Sequence, residues 1–203
     1  MVTKVNILFD GGFFSLKFKE KNGNLPKAND VVKEVNSIME RLREKTAEET
    51  KDILFRVYYY DCRPFAGKVK QPDGKEIDWS ETKGYNAKER FLRELAQKER
   101  FAVRLGELSF DGWDEVKSVD KSGKESKSYS PKLKQKGVDM KVGLDMALMA
   151  LKHTADKIVL VAGDSDFIAP IKFVRKEGMQ VYLYSMGHNI KSKLIEHCDF
   201  KLT

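Results

Sequence analysis

Two carboxylates follow the apolar run KIVLVA in the last quarter of the chain. In the segment GDSDF, Asp164 and Asp166 are separated by one residue and precede a segment with helical spacing. Like charges repel at short range, so such a pair is unfavourable unless a cation or hydrogen-bond donors offset the repulsion. Oxygen ligands suit Mg²⁺ or Mn²⁺ better than zinc. The motif therefore predicts a metal site or, alternatively, a cap by Asp166 on the helix that follows.

Asp10 and Asp139 are the other acidic residues in comparable positions. Asp10 ends the apolar run VNILF, and Asp139 stands in the first turn of a predicted helix in KGVDM. Singly, Asp10 could bond a turn and Asp139 could offset the positive helix N-terminus. Three or four carboxylates at one sheet edge would repel strongly, and a divalent cation would offset this. Their coincidence predicts a shared site for Mg²⁺ or Mn²⁺.

Asp145 lies further along the same predicted helix, close in helical spacing to Val142, Leu148 and Met149. An ionised carboxylate on an apolar stripe is costly unless a cation or a donor satisfies it. For Asp145 the sequence leaves two interpretations open, a structural ion pair or hydrogen bond and a direct metal contact.

Alternating strands and helices must position these acids. Apolar runs predict five strands, at 5–9, 53–60, 101–108, 157–162 and 179–184, with helices from residue 29 or 30 and at 86–97, 138–152, 166–177 and 189–196. This alternation predicts an α/β fold, a doubly wound and mainly parallel five-stranded sheet with helices on both faces. Ligands bind beyond the carboxyl ends of such strands. Strand order 3-2-1-4-5 would make Asp10 and Asp164 neighbours.

Composition limits the classes of protein and of site. The 203 residues are 41% hydrophobic and carry a formal charge of +7, which suits a single domain and favours polyanions without requiring them. Cys62 and Cys198 have no zinc-ligand spacing and are too few for a disulfide framework, so buried free thiols are expected. The chain has no signal-peptide pattern at its start and no apolar run of about 20 residues, which predicts a cytoplasmic protein without a membrane partner.

Two stretches interrupt the predicted alternation, and we interpret them as surface loops inserted into one domain that spans residues 1–203. Residues 63–83 are rich in proline and glycine, whereas residues 109–136 are polar and rich in lysine. Long loops in compact domains are often functional, but a lysine-rich segment can also be merely solvated.

Five blocks of the sequence together resemble the NYN family of PIN-like ribonucleases. They are VNILFDGG at the start, YYYD at 58–61, KGVDMKVGLDM at 136–146, IVLVAGDSDFIAPI at 158–171 and EGMQVYLY at 177–184. The resemblance implies a PIN-like fold of strand order 3-2-1-4-5 and metal-dependent hydrolysis of RNA phosphodiesters. By position, Asp10, Asp139, Asp164 and Asp166 match the acidic metal site, Asp145 matches a supporting acid, and Lys136 matches a basic residue beside the site.

The expected reaction is in-line attack on phosphorus by a water that Mg²⁺ or Mn²⁺ activates. We expect single-stranded RNA as the partner, with phosphates bound by Lys132, Lys134 and Lys136, so that affinity falls with salt. Phe13 and Tyr60 are expected to stack on unpaired bases. The sequence leaves open whether the chain forms a homo-oligomer or binds a regulatory protein.

Two other functions remain as alternatives. Many NYN members have Asn shortly after the first Asp, whereas Gly11, Gly12, Phe13 and Phe14 follow Asp10 here. This departure keeps open a catalytically inactive RNA-binding or protein-docking module of the same fold. A phosphatase of the haloacid dehalogenase type would also have an early strand-end Asp, but it needs a second acid where this chain has Gly12.

Overall fold

The structure is a computed structural model that describes residues 2–46, 51–119 and 125–202. Its strands are β1 Val2–Asp10, β2 Lys51–Cys62, β3 Lys68–Lys70, β4 Glu76–Asp78, β5 Phe101–Val119, β6 Glu125–Lys136, β7 Lys157–Val161, β8 Gln180–Tyr184 and β9 Phe200–Leu202. Its α-helices are α1 Gly11–Asn22, α2 Ala28–Lys45, α3 Lys83–Ala96, α4 Val138–Leu151, α5 Ile168–Lys176 and α6 Ser192–Ile195. Short 3₁₀ turns at Trp79–Glu81 and Ser165–Phe167 precede α3 and α5.

A seven-stranded sheet in the order β6-β5-β2-β1-β7-β8-β9 forms the centre of the fold. Its pairs are parallel except for the antiparallel pair of β5 and β6. The predicted α/β class is confirmed, but the predicted five-stranded sheet is wrong because β6 and β9 extend the sheet at its two edges. The lysine-rich β6 and the three-residue β9 lack the apolar alternation that marks a strand in a sequence.

Helices cover both faces of the sheet, and alternate residues of β1 show this. Leu8 belongs to an apolar cluster with residues of α4 and α5, whereas Ile7 and Phe9 belong to a second cluster with residues of α2. All three side chains are fully buried. Burial of each contributes roughly 1.5–3 kcal/mol relative to an exposed side chain. This packing on both sides fixes the position of the strand ends.

Residues 109–119 and 125–136 lie in two antiparallel strands that form a β-hairpin, so the prediction of a loop there was wrong. β5 and β6 pair from Glu107 opposite Lys136 to the outer end of the hairpin, and residues 120–124 lie outside the described residues. Both strands carry polar side chains on exposed surfaces, and strands of this kind resemble loops in a sequence.

The predicted loop at 63–83 also contains regular structure, since β3 and β4 pair there as a separate two-stranded sheet. Aromatic contacts join this insertion to the hairpin. The ring of Phe65 stacks on Phe110 with centroids 5.9 Å apart, and the ring of Trp79 lies 6.3 Å from that of Trp113. The two insertions therefore pack against each other.

A helix, α1, begins directly after Asp10, where the sequence predicted a loop. Its apolar residues do not recur on one face, because Phe14 is buried whereas Leu16 is 55% exposed. The predicted helix at 189–196 is shorter than expected and consists of α6 alone. The early start of α1 matters for the site, because it brings Phe13 beside the end of β1.

A buried ion pair joins the strands at the end of the sheet opposite to Asp10. Lys157 of β7 donates from Nζ to Oδ1 of Asp52 in β2 at 2.7 Å, and the two side chains are 5% and 0% exposed. Asp52 also accepts hydrogen bonds from the hydroxyls of Thr3 in β1 and Thr46. Burial alone would raise the pKa of Asp52, but the hydrogen bonds from Lys157 and the two threonines outweigh burial and lower it.

We expect the substitution Lys157→Met to lower the free energy of unfolding at pH 7 by about 3 kcal/mol, because it leaves the Asp52 carboxylate buried without its cation. Since the folded pKa of Asp52 lies below its unfolded value, its stabilising contribution is present above about pH 4 and is lost as the pH falls through the folded pKa. The difference in the free energy of unfolding between variant and wild type should therefore become smaller at acidic pH. Urea denaturation across this pH range measures both effects.

The control is Lys4→Met, which removes an exposed lysine of the same sheet and should change stability by about 0.5 kcal/mol or less. An equal loss of stability in both variants would contradict the assignment of a special role to the Lys157–Asp52 pair.

Candidate functional site

The parallel pairing of β1 with β7 brings two of the predicted acids to one edge. Phe9 lies opposite Val161, so Asp10 and the GDSDF segment leave the sheet side by side. Asp10 caps α1, since its Oδ1 accepts a hydrogen bond from the Phe13 N–H at 3.1 Å. Asp164 caps the following 3₁₀ turn in the same way, because its Oδ1 accepts from the Asp166 N–H at 3.1 Å. The turn contact predicted for Asp10 is therefore present, whereas the cap predicted for Asp166 is made by Asp164 instead. Each capping hydrogen bond leaves the carboxylate a second oxygen.

Asp139 reaches the same edge from the hairpin. Gly137 connects β6 to α4 with φ of 77°, a left-handed conformation that favours glycine. The chain therefore turns directly from the strand into the helix, and Asp139 stands in the first turn of α4. Burial raises the pKa of Asp139, and the charges of Asp164 and Asp166 raise it further.

The four predicted acids form one electrostatic cluster, which we call the acidic cluster: Asp10, Asp139, Asp164 and Asp166. Burial raises the pKa of Asp10 from 3.8 to about 6. The N–H groups of Phe13 and Gly12 counteract this rise, and the charges of Asp139 and Asp164 add to it. In the described part of the chain, none of the ion pairs includes a residue of the acidic cluster.

Helix N-termini surround the acidic cluster. α1 begins after Asp10, α4 begins one residue before Asp139, and the turn that leads into α5 begins after Asp164. The first N–H groups of a helix carry a partial positive charge, which offsets part of the repulsion among the carboxylates. The same groups attract anions such as phosphate. The partial positive charges of these helix N-termini therefore stabilise both the carboxylates of the protein and a bound anionic ligand.

The donor set of the acidic cluster fits a hard divalent cation, because it consists of carboxylate oxygens without a neutralising side chain. Among the described residues, however, no three acidic, histidine or cysteine side chains already stand in coordinating positions. Carboxylates that repel one another without a cation are expected to point apart. Charge and chemistry thus fit Mg²⁺ or Mn²⁺, whereas a preformed cage is not present among the residues that the structure describes.

An open cleft of about 470 Å³ begins at Asp10 and Asp164. Phe13 and Lys17 of α1 line one side, and residues 188–191, which follow β8, line the other. Gly163 allows the Phe13 ring to lie against the GDSDF segment, because a Cβ at this position would be 2.6 Å from the ring. Phe13, predicted to contact substrate, is therefore placed beside the acids.

Sequence reasoning assigned no role to Lys17, because its helix was predicted as a loop. Its Nζ lies 2.8 Å from Glu20 Oε2 and its side chain is 22% exposed, so it remains accessible from the cleft. His188 lies on the opposite wall, with Nδ1 3.9 Å from the same Glu20 oxygen. Lys191, on the same wall as His188, is the second lysine that lines the cleft.

The prediction that Tyr60 stacks on a base was wrong. Its ring is fully buried, and its hydroxyl donates to Asp145 Oδ2 at 3.0 Å. Asp145 also pairs with Arg104, whose Nε lies 3.2 Å from the same oxygen. Six residues separate Asp145 from Asp139, which corresponds to about 9 Å along the helix and to a different side of it. The contacts of Asp145 match the structural interpretation and give no support to its role as a metal ligand.

The predicted phosphate-binding lysines Lys132, Lys134 and Lys136 alternate along β6 and share one exposed face of it. Lys134 Nζ lies 2.6 Å from Asp111 Oδ2, and none of the three lines the cleft in the described structure. For these three lysines to contact the substrate as predicted, the substrate would have to extend from the cleft along the hairpin.

Gln135, on the opposite face of β6, lies nearer to the acidic cluster. Its Nε2 and Asp10 Oδ1 are each 3.4 Å from the position that a Cβ would take at Gly12. Sequence reasoning missed Gln135 because it interpreted β6 as a loop. The alternation of a strand would have separated Gln135 from the neighbouring lysines.

Asp61, the last residue of the YYYD block, also lies near the start of α1. Its Oδ2 is 3.0 Å from the position of a Cβ at Gly11. Unlike the residues of the acidic cluster, Asp61 is neutralised, because Lys88 Nζ lies 2.5 Å from Oδ2 and the Asp61 side chain is 4% exposed. The sequence provided no signal for this pairing, since 27 residues separate the two partners.

We expect Asp10→Asn to stabilise the metal-free protein by about 1–3 kcal/mol at pH 7.5, because it removes a buried, repelled charge and keeps an oxygen that can accept from Phe13 N–H. The folded pKa of about 6 exceeds the unfolded value of 3.8. The contribution of Asp10 to wild-type stability should therefore fall as the pH rises from about 4 to 6, and the advantage of the variant should grow over this range. Urea denaturation in EDTA at pH 4.5 and 7.5 measures the difference in the free energy of unfolding between the variant and the wild type.

Asp156→Asn, at the other end of β7, is the matched control and should give no such gain. A variant at Asp10 that is less stable than wild type at both pH values would show that its charge is satisfied and would remove the electrostatic basis of the site.

Comparison with known proteins addresses the family and the fold. The family model described as NYN domain matches residues 73–203, a range that includes Asp139, Asp164 and Asp166. A search of curated proteins found no match. A crystal structure of a protein of unknown function from Vibrio parahaemolyticus RIMD 2210633 is similar, with a TM-score of 0.50 and 15% sequence identity over 98% of this chain and 91% of that chain. At this identity the likeness supports the fold alone. Because the family model covers more than half of the residues of this chain, the chain belongs to the NYN domain family.

Proposed function

We propose that this protein is a metal-dependent ribonuclease that hydrolyses phosphodiester bonds of single-stranded RNA in the cytoplasm. The observation that carries the proposal is the acidic cluster, in which mutually perturbed carboxylates lack ion pairs among the described residues and two of them, Asp10 and Asp164, line a cleft. Membership of the NYN family suggests a PIN-like nuclease fold and supports the same interpretation. None of the helices in the described part of the chain combines the length and hydropathy needed to span a bilayer.

The residues that would hold Mg²⁺ or Mn²⁺ are Asp10, Asp139, Asp164 and Asp166. A divalent cation supplies Lewis acidity, which favours ionisation of the attacking water and offsets charge that develops on the phosphoryl oxygens. The protein orients the acids through the hydrogen bonds from Phe13 N–H to Asp10 and from Asp166 N–H to Asp164. Because the pKa of Asp10 is about 6, this carboxylate is ionised and able to bind a cation at neutral pH.

The cleft suits a flexible anionic chain. Lys17 and Lys191 stand on its two walls and would contact phosphates, while the partly exposed ring of Phe13 would stack on a base next to the acids. The lysines of β6 would extend this surface along the hairpin. Aromatic stacking and phosphate contacts do not read a sequence, so we expect little base preference.

An inactive RNA-binding module is the second candidate. The observation in its favour is Phe13, an apolar side chain in the region that follows Asp10, where many family members have Asn. Such a module would bind RNA through the lysines of the cleft without cleaving it and without a requirement for divalent cations.

We expect the purified protein to cleave single-stranded RNA with Mn²⁺ or Mg²⁺ and to stop in EDTA. Asp164→Asn should lower the rate by about 100-fold or more, because it removes one of the negative charges that would hold the cation. Cleavage of a fluorescent oligoribonucleotide, measured against cation concentration, gives both values.

Asp156→Asn is again the control and should retain the wild-type rate. Cleavage that is unaffected by EDTA or by Asp164→Asn would refute the metal-dependent mechanism. Tight binding of RNA without cleavage under every cation condition would favour the inactive module.

We expect the double substitution Lys17→Ala and Lys191→Ala to weaken RNA binding and to reduce the slope of log affinity against log salt by roughly 1.4, about 0.7 for each phosphate of a single strand that a lysine no longer neutralises. Fluorescence anisotropy at several salt concentrations measures the slope. The double variant Lys172→Ala and Lys176→Ala, which changes two exposed lysines of α5, alters net charge equally. If both double variants gave the same slope, the lysines of the cleft would have no specific role.

A further inference from the structure

A second cavity, of about 280 Å³, opens between the start of α3 and the hairpin of β5 and β6. We call it the aromatic pocket and define it by six of the residues that line it: Phe65, Trp79, Tyr85, Leu108, Leu133 and Gln135. None of the six is fully buried. Asp61 also lines the pocket, and Lys88 neutralises this carboxylate. Pockets for drug-sized ligands measure about 300–1,000 Å³, so this cavity suits a smaller group such as a single ring system.

Contacts outside the cavity hold its aromatic walls in place. The ring of Phe65 stacks on Phe110 of β5, and the ring of Trp79 packs against Trp113 of the same strand. Trp113 is itself held by a hydrogen bond, because its Nε1 donates to Lys70 O in β3 at 3.0 Å. A ligand that enters the pocket therefore does not have to order these rings, which lowers the entropic cost of binding.

The aromatic pocket and the cleft lie on opposite sides of Asp10. In the sheet, β1 lies between β2 and β7. The cleft is on the β7 side, because residues 163–165 and 188–191, which line it, follow β7 and β8. The aromatic pocket is on the β2 side, because Leu108 of β5 and Leu133 of β6 line it. An extended chain that follows this edge of the sheet therefore passes the acidic cluster between the cleft and the aromatic pocket.

Gln135 connects the aromatic pocket to the acidic cluster. It lines the pocket, and its Nε2 and Asp10 Oδ1 each lie 3.4 Å from the position of a Cβ at Gly12. The two atoms are therefore at most twice that distance apart. The Gln135 side chain is exposed, and its amide offers both a donor and an acceptor. A group bound in the pocket thus lies close enough to Asp10 to belong to the same substrate molecule.

The surroundings of the aromatic pocket favour an anionic ligand. Thr82, Gly84 and Tyr85 line it at the N-terminus of α3, where the partial positive charge of the helix favours phosphate. Lys136, the neighbour of Gln135 in β6, adds an exposed cation. Aromatic faces, a side-chain amide and nearby positive charge are the features by which proteins bind an unpaired base and its phosphate.

We propose that the aromatic pocket binds one unpaired base of an RNA whose backbone runs from the cleft past the acidic cluster. The base stacks on the aromatic walls, and the amide of Gln135 forms a hydrogen bond with its edge. Because stacking tolerates every base and an amide both donates and accepts, the pocket accepts more than one base. This inference rests on the RNA binding of the proposed function, but it does not require that the RNA is cleaved.

The fluorescence of Trp79 tests whether a base enters the pocket. The chain has two tryptophans, so Trp113→Phe leaves Trp79 as the only one and keeps a ring against Phe110. A short oligouridylate is titrated in EDTA, which prevents metal-dependent cleavage. We expect saturable quenching, because a base in the pocket lies against the indole. An abasic oligonucleotide of equal length and charge should bind through its phosphates and leave the emission unchanged.

Substitutions test the assignment of the walls. We expect Tyr85→Ala and Gln135→Ala each to weaken binding of a labelled oligouridylate by about fivefold or more, because one stacking contact or one hydrogen bond to the base is lost. Fluorescence anisotropy in EDTA measures the affinity. Tyr85→Phe keeps the ring and should bind like the wild type.

Phe173→Ala is the matched control, because it removes a phenylalanine of α5 that is 38% exposed, and it should also bind like the wild type. None of these variants should change the affinity for the abasic oligonucleotide. Circular dichroism should show that all of them are folded.

Binding of the oligouridylate without a change in Trp79 emission would overturn the proposal, and so would equal quenching by the abasic oligonucleotide. The proposal would also be wrong if Tyr85→Ala and Gln135→Ala bound the oligouridylate as tightly as Phe173→Ala. Quenching without cleavage after Mn²⁺ or Mg²⁺ is added would support the aromatic pocket and refute the ribonuclease activity alone. Failure of the RNA to bind at all would refute both.

Discussion

The parallel pairing of β1 with β7 is the constraint on which the site depends. It brings the ends of two strands that are about 150 residues apart in the chain to one edge, where Asp10 and the GDSDF segment emerge together. The core on both faces of the sheet holds the strands in place, so the carboxylates stay close despite their mutual repulsion. The pKa of Asp10 is raised to about 6, because ionising its carboxylate at this position is less favourable than in water. Burial is the largest cause of this rise, the N–H groups of Phe13 and Gly12 counteract it, and the charges of Asp139 and Asp164 add to it.

The positions of the lysine and arginine side chains decide which carboxylates are neutralised within the protein and which remain available to bind a ligand. Lys157 neutralises Asp52 at one end of the sheet, Lys88 neutralises Asp61, and Arg104 pairs with Asp145. The acidic cluster has no such partner among the described residues, although the chain carries an excess of positive charge. Because an uncompensated cluster opposes folding, it is the feature that a purely structural role does not explain.

The helix α4 joins three properties of the molecule. Its inner face completes the core, its first turn contributes Asp139 to the acidic cluster, and its outer face exposes the large aliphatic side chains Met140, Leu144, Leu148 and Leu151. The core and the acidic cluster therefore share one rigid element of structure.

The sequence by itself determined the α/β class, because apolar runs alternate with helical spacing, and it identified the acids that the strand ends and helix starts bring together. It also identified the family, since the blocks around Asp139 and Asp164, which the family model covers, have local patterns. The added edge strands and α1 were missed, because exposed strands and a helix without an apolar face leave no periodic signal.

Only the tertiary structure decided the partners of the individual side chains. Tyr60 looked like a residue for stacking on bases, but it is buried and donates to Asp145, and Lys17 and Gln135 came near the acids through elements that the sequence did not reveal. The physical reason is that periodicity reports which side of one element is apolar, a local property. The choice between an ion pair and an unneutralised charge depends on residues that are distant in the chain and meet only after the strands have paired.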